Sequence, residues 1–213
     1  MDAGAPVVAH PAGGRDLGGS RLRESPPRAI GRTPSFVALD FETANYHHDS
    51  PCALGVVVVE RGRIVEERSW LIDPESEFES FHIGVHGIRP GDVAGEPCFE
   101  ELWFELEPYL AGRLLAAHNA AFDRTILLQT CEAYGIQFDP PETVCTWRLT
   151  RGLYRLPDYK LPTVCGAFGI PLNHHDAASD ARACAEIVLR VSGEIGWPAA
   201  LERARMGPPT YSA

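Results

Sequence analysis

The amino-acid sequence predicts an α/β domain built on a mixed five-stranded sheet with helices on both faces. Apolar runs of strand length occupy residues 35–43, 52–59 and 64–72 in succession. Two shorter apolar runs, 114–117 and 143–147, alternate with segments whose apolar residues recur at helical spacing. Strands that are followed by alternating helices and strands are typical of a mixed sheet covered by helices on both sides.

The first three strands are expected to lie together, with the first at the centre. The run from Ser35 to Thr43 ends in two acids, Asp40 and Glu42, so it has the pattern of a buried strand with a charged tip. The second and third runs are separated by Arg61-Gly62, which favours a tight hairpin turn. We therefore expect the second and third strands to run antiparallel to their neighbours.

The rest of the chain is predicted to alternate helices with the two short strands. The predicted helices cover 98–110, 120–134, 161–168 and 177–195. Asn119 and Asp176 precede two of them as candidate N-caps, and Gly135 and Gly169 follow two of them as C-terminal stops. The connection 74–97 is predicted to be irregular, and long connections in compact domains are often functional.

The composition is that of an ordinary globular protein, with 45% hydrophobic and 23% charged residues among 213. We expect a disordered leader over 1–32, which is rich in Gly, Pro, Ala and Arg, then one folded domain over 33–196 and a C-terminal tail over 197–213. No apolar run approaches the ~20 residues of a membrane span, and the N-terminus lacks the apolar core of a secretory signal. A cytoplasmic location is therefore expected. The six cysteines show no Cys-x-x-Cys spacing, which favours reduced core residues over zinc ligands or disulfides.

Charge limits the kinds of nucleic-acid partner that the chain could hold. The formal net charge of −10 argues against a broad basic surface for long nucleic acid, because that affinity comes from neutralising many phosphates. One segment, 147–160, is basic and interleaved with aromatic residues, a pattern that could guide a single strand or belong to a solvated connector. Its members are Trp147, Arg148, Arg151, Tyr154, Arg155, Tyr159 and Lys160.

The acids at the tip of the first strand are candidate metal ligands. Asp40 and Glu42 are two residues apart, so their side chains should point to the same face of the sheet. Two carboxylates side by side at the edge of a core raise at least one pKa or bind a cation, and Mg²⁺ and Mn²⁺ prefer oxygen ligands. A strand end whose acids are merely solvated is the alternative.

Two predicted helix starts repeat one arrangement. His118-Asn119 precedes a helix with Asp123 in its first turns, and His175-Asp176 precedes a helix with Asp180 at the same position. Each His and Asp occupy the two positions that meet in a hydrophobic staple, where apolar residues are usual. The alternative is that these acids only complement the helix dipole.

Taken together, these motifs resemble those of a known enzyme family. Asp40-Phe-Glu42-Thr43, His118-Asn119-x-x-Phe122-Asp123 and His175-x-x-x-x-Asp180 are similar, in order and separation, to the three exonuclease motifs of the DEDDh 3′-5′ exonucleases. This family includes the proofreading epsilon subunit of bacterial DNA polymerase III. The resemblance spans about 36–191 and includes His86-Gly87-Ile88 and the segment that begins at Leu161. It implies a ribonuclease H-like fold, in agreement with the predicted mixed sheet.

The resemblance also implies roles for individual residues. Asp40 would bridge two divalent cations, Mg²⁺ or Mn²⁺, with Glu42 and Asp180 completing the first site and Asp123 supporting the second through water. His175 would accept a proton from the attacking water, whereas His174 is expected to be a solvated neighbour.

Four further residues match family positions that hold the terminal nucleotide, namely Thr43, His86, Asn119 and Phe122. Three of them also have a simpler explanation: Asn119 could only cap a helix, Phe122 could only fill the core, and His86 could be an ordinary loop histidine.

The expected activity is hydrolysis at the 3′ end of single-stranded or frayed DNA, with release of nucleoside 5′-monophosphates. The alternatives are an exoribonuclease that trims RNA and a nuclease-like module that binds nucleic acid without turnover. The tail from Trp197 contains no obvious sliding-clamp motif, and no membrane partner is expected.

Overall fold

The fold is a six-stranded mixed sheet with the strand order β3-β2-β1-β4-β5-β6. The computed structural model describes residues 33–139 and 141–206. The strands are β1 (Phe36–Thr43), β2 (Pro51–Glu60), β3 (Arg63–Leu71), β4 (Leu115–Ala117), β5 (Thr143–Cys145) and β6 (Arg205–Met206). The helices are α1 (Ser80–His86), α2 (Pro90–Val93), α3 (Phe99–Leu110), α4 (Ala121–Ala133), α5 (Thr146–Arg151), α6 (Leu161–Phe168), α7 (Ala177–Ile195) and α8 (Trp197–Ala204).

The predicted arrangement of the first three strands is confirmed. β1 runs antiparallel to β2 on one side and parallel to β4 on the other, and β2 runs antiparallel to β3. The turn between β2 and β3 has positive φ at both Arg61 (50°) and Gly62 (79°). Positive φ at both central residues gives a turn whose twist matches that of the flanking strands, so the hairpin follows directly from its two-residue connection.

Two predictions about secondary structure inside the domain are corrected. The strand expected over 143–147 ends at Cys145, because Thr146 begins α5 and its side chain turns toward His118. The connection expected to be irregular over 74–97 contains α1 and α2, which have only seven and four residues. Helices this short carry too few apolar positions to show a period of 3.6 residues.

The segment assigned to a tail is part of the fold as far as residue 206. Trp197, Ala200, Leu201 and Ala204 are buried, at the i, i+3, i+4, i+7 spacing of one helix face. Trp197 stacks on Phe36 of β1 with 6.0 Å between ring centroids, and β6 adds a sixth strand beside β5. The boundary placed at 196 and the count of five strands are therefore wrong. The predicted leader 1–32 and the end of the tail lie outside the described residues.

The sheet separates two apolar clusters, and β1 contributes to both in alternation. Phe36 and Ala38 lie in the cluster that contains α7, whereas Val37, Leu39 and Phe41 lie in the cluster with α3 and α4. Because side chains alternate along a strand, Asp40 and Glu42 continue the row that faces α7. Among the described residues, no helix is both long enough and apolar enough to cross a membrane.

Candidate active site

Three acids meet where β1 emerges from the core. Carboxylate oxygens of Asp40, Glu42 and Asp180 all lie within 4.8 Å of one another. Glu42 and Asp180 are 8% and 3% exposed, so two of these charges have little contact with water. The predicted pairing of the strand tip with the third motif is therefore present in the fold.

Helix α7 delivers Asp180 to this cluster. Its N-cap is Asp176, as predicted, whose side chain accepts a hydrogen bond from the Ser179 backbone N–H at 2.9 Å. Asp180 is the fourth residue of α7, one turn beyond the cap, on the side that packs against β1 and β2.

Gly55 allows α7 to come this close, and sequence reasoning did not identify it. Gly55 lies opposite Asp40 in the β1–β2 register, and a Cβ added to it would be 2.0 Å from the carbonyl oxygen of Ala177. Only a residue without a side chain fits at this contact. A lone glycine inside an otherwise apolar strand was the available signal, since such a residue often marks a close backbone approach.

Asp123 reaches the tip of β1 from the opposite side. Its Oδ1 accepts a hydrogen bond of 3.1 Å from the Phe41 backbone N–H, and the residue is 2% exposed. It is the third residue of α4 rather than the fourth, because the helix begins at Ala121. Asn119 is not the N-cap that was predicted: it has a left-handed φ of 59°, and α4 has no side-chain cap.

The expected pairing of His118 with Asp123 is wrong. The His118 ring instead joins the segment that follows β5, with Nδ1 at 2.8 Å from Thr146 Oγ1 and Nε2 at 2.9 Å from the Tyr159 carbonyl oxygen. Burial lowers the pKa of His118 to about 4, so the ring is neutral. His118 therefore ties the second motif to the basic segment.

Of the two adjacent histidines before α7, His174 contacts Asp180 through its ring, whereas His175 does so through its backbone. His174, expected to be solvated, places Nδ1 at 2.8 Å from Asp180 Oδ2. His175 has a left-handed φ of 69° and binds the same oxygen through its backbone N–H at 3.1 Å. Its ring remains available, with Nδ1 at 3.9 Å from Glu42 Oε1. A non-glycine residue in this conformation is strained, a feature that clusters at functional sites.

The long connection is fixed to the first motif through Thr43. The Ile88 backbone N–H donates to His86 Nδ1 at 3.0 Å, so the ring hydrogen lies on Nε2, which donates to the Thr43 carbonyl oxygen at 3.1 Å. His82, which the motif analysis did not single out, lies 3.0 Å from the same oxygen. Desolvation lowers the pKa of His86, in agreement with a neutral ring.

Phe122 faces solvent, which excludes the alternative that it only fills the core. Its side chain is 41% exposed, and its ring meets the edge of His48 with 5.7 Å between centroids. An exposed aromatic ring next to Asp123 in the sequence is of the kind on which a flat group could stack.

The electrostatics of the acids call for a cation. Desolvation, followed by repulsion from the neighbouring carboxylates, raises the pKa of Asp40 well above its usual value and that of Glu42 to about 8. Desolvation also raises the pKa of Asp123 to about 7 and that of Asp180. A cation bound among these groups would restore their charged forms, because opposite charge offsets both the desolvation and the mutual repulsion.

Asp180 carries a further mark of a metal ligand. Its Oδ2 has both His174 and His175 as partners, whereas its buried Oδ1 has no hydrogen-bond partner among the described residues. Buried polar atoms are nearly always partnered, and a carboxylate oxygen next to two further carboxylates suits a hard divalent cation. The residues at this site therefore fit Mg²⁺ or Mn²⁺.

A cavity of about 430 Å³ lies between the N-terminal end of α7, the start of β2 and the end of β3. His86 and His175 both line it, together with Leu71 and Asn173. Its size is within the usual range of small-ligand sites.

The fold is of the ribonuclease H-like class. The chain belongs to the RNase_T exonuclease family, whose model matches residues 37–188 and so covers all three motifs. The resemblance to DEDDh 3′-5′ exonucleases and the ribonuclease H-like fold are thereby confirmed.

Curated relatives include the PolC-type DNA polymerase III of Thermotoga maritima, 32% identical over 160 residues, which are 73% of this chain and 12% of the polymerase. The enzyme of Caldanaerobacter subterraneus is 32% identical over 161 residues, which are 73% of this chain and 11% of that protein. The chain thus spans about a tenth of the length of these relatives.

Solved structures share the fold at lower identity. Exonuclease X in complex with 5′-overhanging duplex DNA has a TM-score of 0.62 and 22% identity, with 74% of this chain and 91% of that chain covered. The zinc-bound complex of E. coli exonuclease I with single-stranded DNA has a TM-score of 0.67 and 16% identity, with 79% and 42% covered. A 3′-exonuclease that recognises the histone mRNA stem-loop has a TM-score of 0.62 and 14% identity, with 78% and 84% covered.

Proposed function

We propose that this chain is a metal-dependent 3′-5′ exonuclease that hydrolyses phosphodiester bonds at the 3′ end of single-stranded or frayed DNA. One observation carries the proposal. Asp40, Glu42 and Asp180 place oxygens within 4.8 Å of one another, and the buried Asp180 Oδ1 has no partner among the described residues. Such a cluster is costly without a cation and is well suited to holding one.

The proposed ligands are the four acids of the three motifs. Asp40, Glu42 and Asp180 would hold one divalent cation, and Asp40 with Asp123 would hold a second, Asp123 acting through water. When bound, such ions polarise the scissile phosphate and acidify the attacking water. The hydrogen bond from the Phe41 backbone N–H to Asp123 Oδ1 fixes the position of that carboxylate along β1.

His175 is the proposed general base. Burial, and then the neighbouring His174, lower its pKa, so the ring is neutral near pH 7 and can take a proton from the attacking water. The ring is 40% exposed, so water can reach it. The products would be nucleoside 5′-monophosphates.

The cavity beside His86 and His175 is the proposed site of the terminal nucleotide. Its volume of about 430 Å³ suits one nucleoside. In this proposal His86 acts mainly by fixing the Thr43 backbone. Phe122 offers an exposed ring for stacking a base, and Asn119 lies exposed just before α4.

The basic segment 147–160 is the proposed path of the strand that leaves the site. His118 contacts Thr146, immediately before the segment, and Tyr159, near its end, and these contacts hold the segment beside the second motif. The four basic side chains in it are exposed, and none has an ion-pair partner within the described part of the chain. Its tyrosines are used internally, since Tyr154 donates to Glu194 and Tyr159 to the Tyr154 backbone, so the phosphate contacts would come from Arg148, Arg151, Arg155 and Lys160.

DNA is the preferred substrate because the curated relatives are DNA polymerases. RNA is the second candidate, since one structural neighbour is named for recognition of a histone mRNA stem-loop. Both polymers offer the same phosphodiester to the acids, so discrimination would depend on contacts to the terminal sugar.

The test uses matched 5′-labelled DNA and RNA oligonucleotides with Mg²⁺ or Mn²⁺. We expect a ladder of shortened products from the wild-type protein, faster on DNA, and none from Asp40→Asn or from samples with EDTA. Binding of the oligonucleotide without a ladder would instead identify an inactive binding module, and equal rates on DNA and RNA would remove the preference for DNA.

A further inference from the structure

We infer that His174 is a positioning residue of the metal site, which orients the Asp180 carboxylate through a hydrogen bond and the His175 ring through stacking. The three motifs that define the family do not include this residue. The inference rests on the proposed metal dependence, and it assigns a separate task to each of two contacts made by one ring.

The first contact divides the two oxygens of Asp180. Oδ2 receives His174 Nδ1 at 2.8 Å and the His175 backbone N–H at 3.1 Å. With Oδ2 held by two donors, the carboxylate cannot rotate, and Oδ1 stays directed into the cluster of acids. The bond from His175 belongs to the backbone, so His174 supplies the part of this support that depends on a side chain. Outer partners of metal ligands typically change metal affinity by about 10- to 100-fold when they are removed.

The second contact holds the proposed base. The rings of His174 and His175 stack with 3.7 Å between centroids and an interplanar angle of 24°. His175 is 40% exposed, and His174 is the one ring among the described residues recorded in contact with it. A half-exposed side chain without such a contact samples several rotamers, which would lower the fraction of time in which its ring faces the attacking water.

A direct role as a metal ligand is the competing explanation for His174. Ligand atoms of His174, His175 and Asp180 lie within 4.8 Å of one another. However, the nitrogen that faces the site is already engaged with Asp180 Oδ2 at 2.8 Å, and a hydrogen-bonding Nδ1–H has no lone pair for a cation. The geometry therefore favours positioning.

Two substitutions separate the two contacts. His174→Asn keeps a donor near the position of Nδ1 but removes the ring, whereas His174→Phe keeps a ring for stacking but removes the donor. His174→Ala removes both. The side chain is 36% exposed, so these changes should be tolerated, and near-UV circular dichroism would verify the fold of each variant.

Mn²⁺ affinity, measured by electron paramagnetic resonance on the full chain without substrate, is the first readout. We expect His174→Phe and His174→Ala to weaken Mn²⁺ binding about 10- to 100-fold, and His174→Asn to bind nearly as the wild type does. The second readout is kcat and KM with a DNA oligonucleotide at saturating Mn²⁺. There His174→Asn should lower kcat with little change in KM, and His174→Phe should recover most of the wild-type kcat.

The outcomes are distinct. Wild-type Mn²⁺ affinity in folded His174→Phe and His174→Ala would overturn the inference and leave the proposed exonuclease function intact. Equal loss of affinity in His174→Asn and His174→Phe would also overturn it, in favour of a direct ligand. Failure of the wild-type protein to bind Mn²⁺ at all would overturn the proposed function and this inference together.

Discussion

Replacing Gly55 by alanine should damage the metal site without touching any of its ligands. A Cβ at this position would be 2.0 Å from the Ala177 carbonyl oxygen and 2.4 Å from its carbonyl carbon. Non-bonded carbon and oxygen atoms come no closer than about 3 Å, so the start of α7 must move away by about 1 Å. The obstacle is backbone, so no rotamer change can relieve it.

The displacement acts directly on Asp180, which follows Ala177 by one helical turn. Overpacking of this kind costs about 1–3 kcal/mol of stability. A shift of about 1 Å in a catalytic group can cost roughly 10²-fold in rate. We therefore expect Gly55→Ala to stay folded, to lose about 1–3 kcal/mol in urea unfolding, and to lose roughly 100-fold in kcat together with weaker Mn²⁺ binding.

Gly193→Ala is the matched control. Gly193 lies in α7, the helix that Gly55 contacts, and an added Cβ there would have nothing within 4 Å. Alanine is favoured over glycine in a helix interior by roughly 0.5–1 kcal/mol, so this variant should be slightly more stable and fully active. Wild-type turnover and Mn²⁺ affinity in Gly55→Ala would refute the close approach of α7 as the condition for the site.

Three other perturbations test separate parts of the reasoning. His175→Ala should lower kcat by roughly 10²- to 10⁴-fold while Mn²⁺ affinity is retained; a normal rate near neutral pH would remove it as the base. Without metal, the free energy of unfolding should fall as pH rises from about 5 to 8, because the folded state raises the pKa of Glu42 to about 8 and of Asp123 to about 7 and so binds protons more tightly than the unfolded chain. Urea titrations should show this slope and its loss in saturating Mg²⁺, and a flat metal-free profile would contradict the shifted values. Arg155→Ala should raise KM at low salt and make the slope of log KM against log salt shallower by about 0.7, whereas Arg63→Ala, at the far end of the β2–β3 hairpin, should leave both unchanged.

Much of the fold was readable because its signals are local. Three of these signals depend on residues within a few positions of one another. They are the alternation of side chains between the two faces of β1, the two-residue turn after β2 and the N-cap at Asp176. The segment 197–206 was misjudged although its apolar spacing is helical, because the helix in it has only eight residues and follows the stop at Gly196. Its place in the core depends on contacts with distant residues, such as the stacking of Trp197 on Phe36 and the pairing of β6 with β5.

The site was readable to the extent that its residues belong to recurring motifs. Asp40, Glu42, Asp123 and Asp180 could be named from spacing and resemblance, and the structure brings these acids to the tip of β1. The contacts of His118 could not be anticipated, since its partners at Thr146 and Tyr159 are 28 and 41 positions away along the chain.

The sequence by itself determined the arrangement of the first three strands, the common face of the two acids of β1 and the identity of the proposed metal ligands. Tertiary structure alone decided that the His174 ring, rather than the His175 ring, hydrogen-bonds to Asp180. It also decided that α7 packs closely against Gly55 and that His118 contacts the basic segment. The physical reason is that periodicity and capping depend on neighbouring residues, whereas ring orientation, close backbone approach and the state of a buried charge depend on groups that meet only when distant segments pack together.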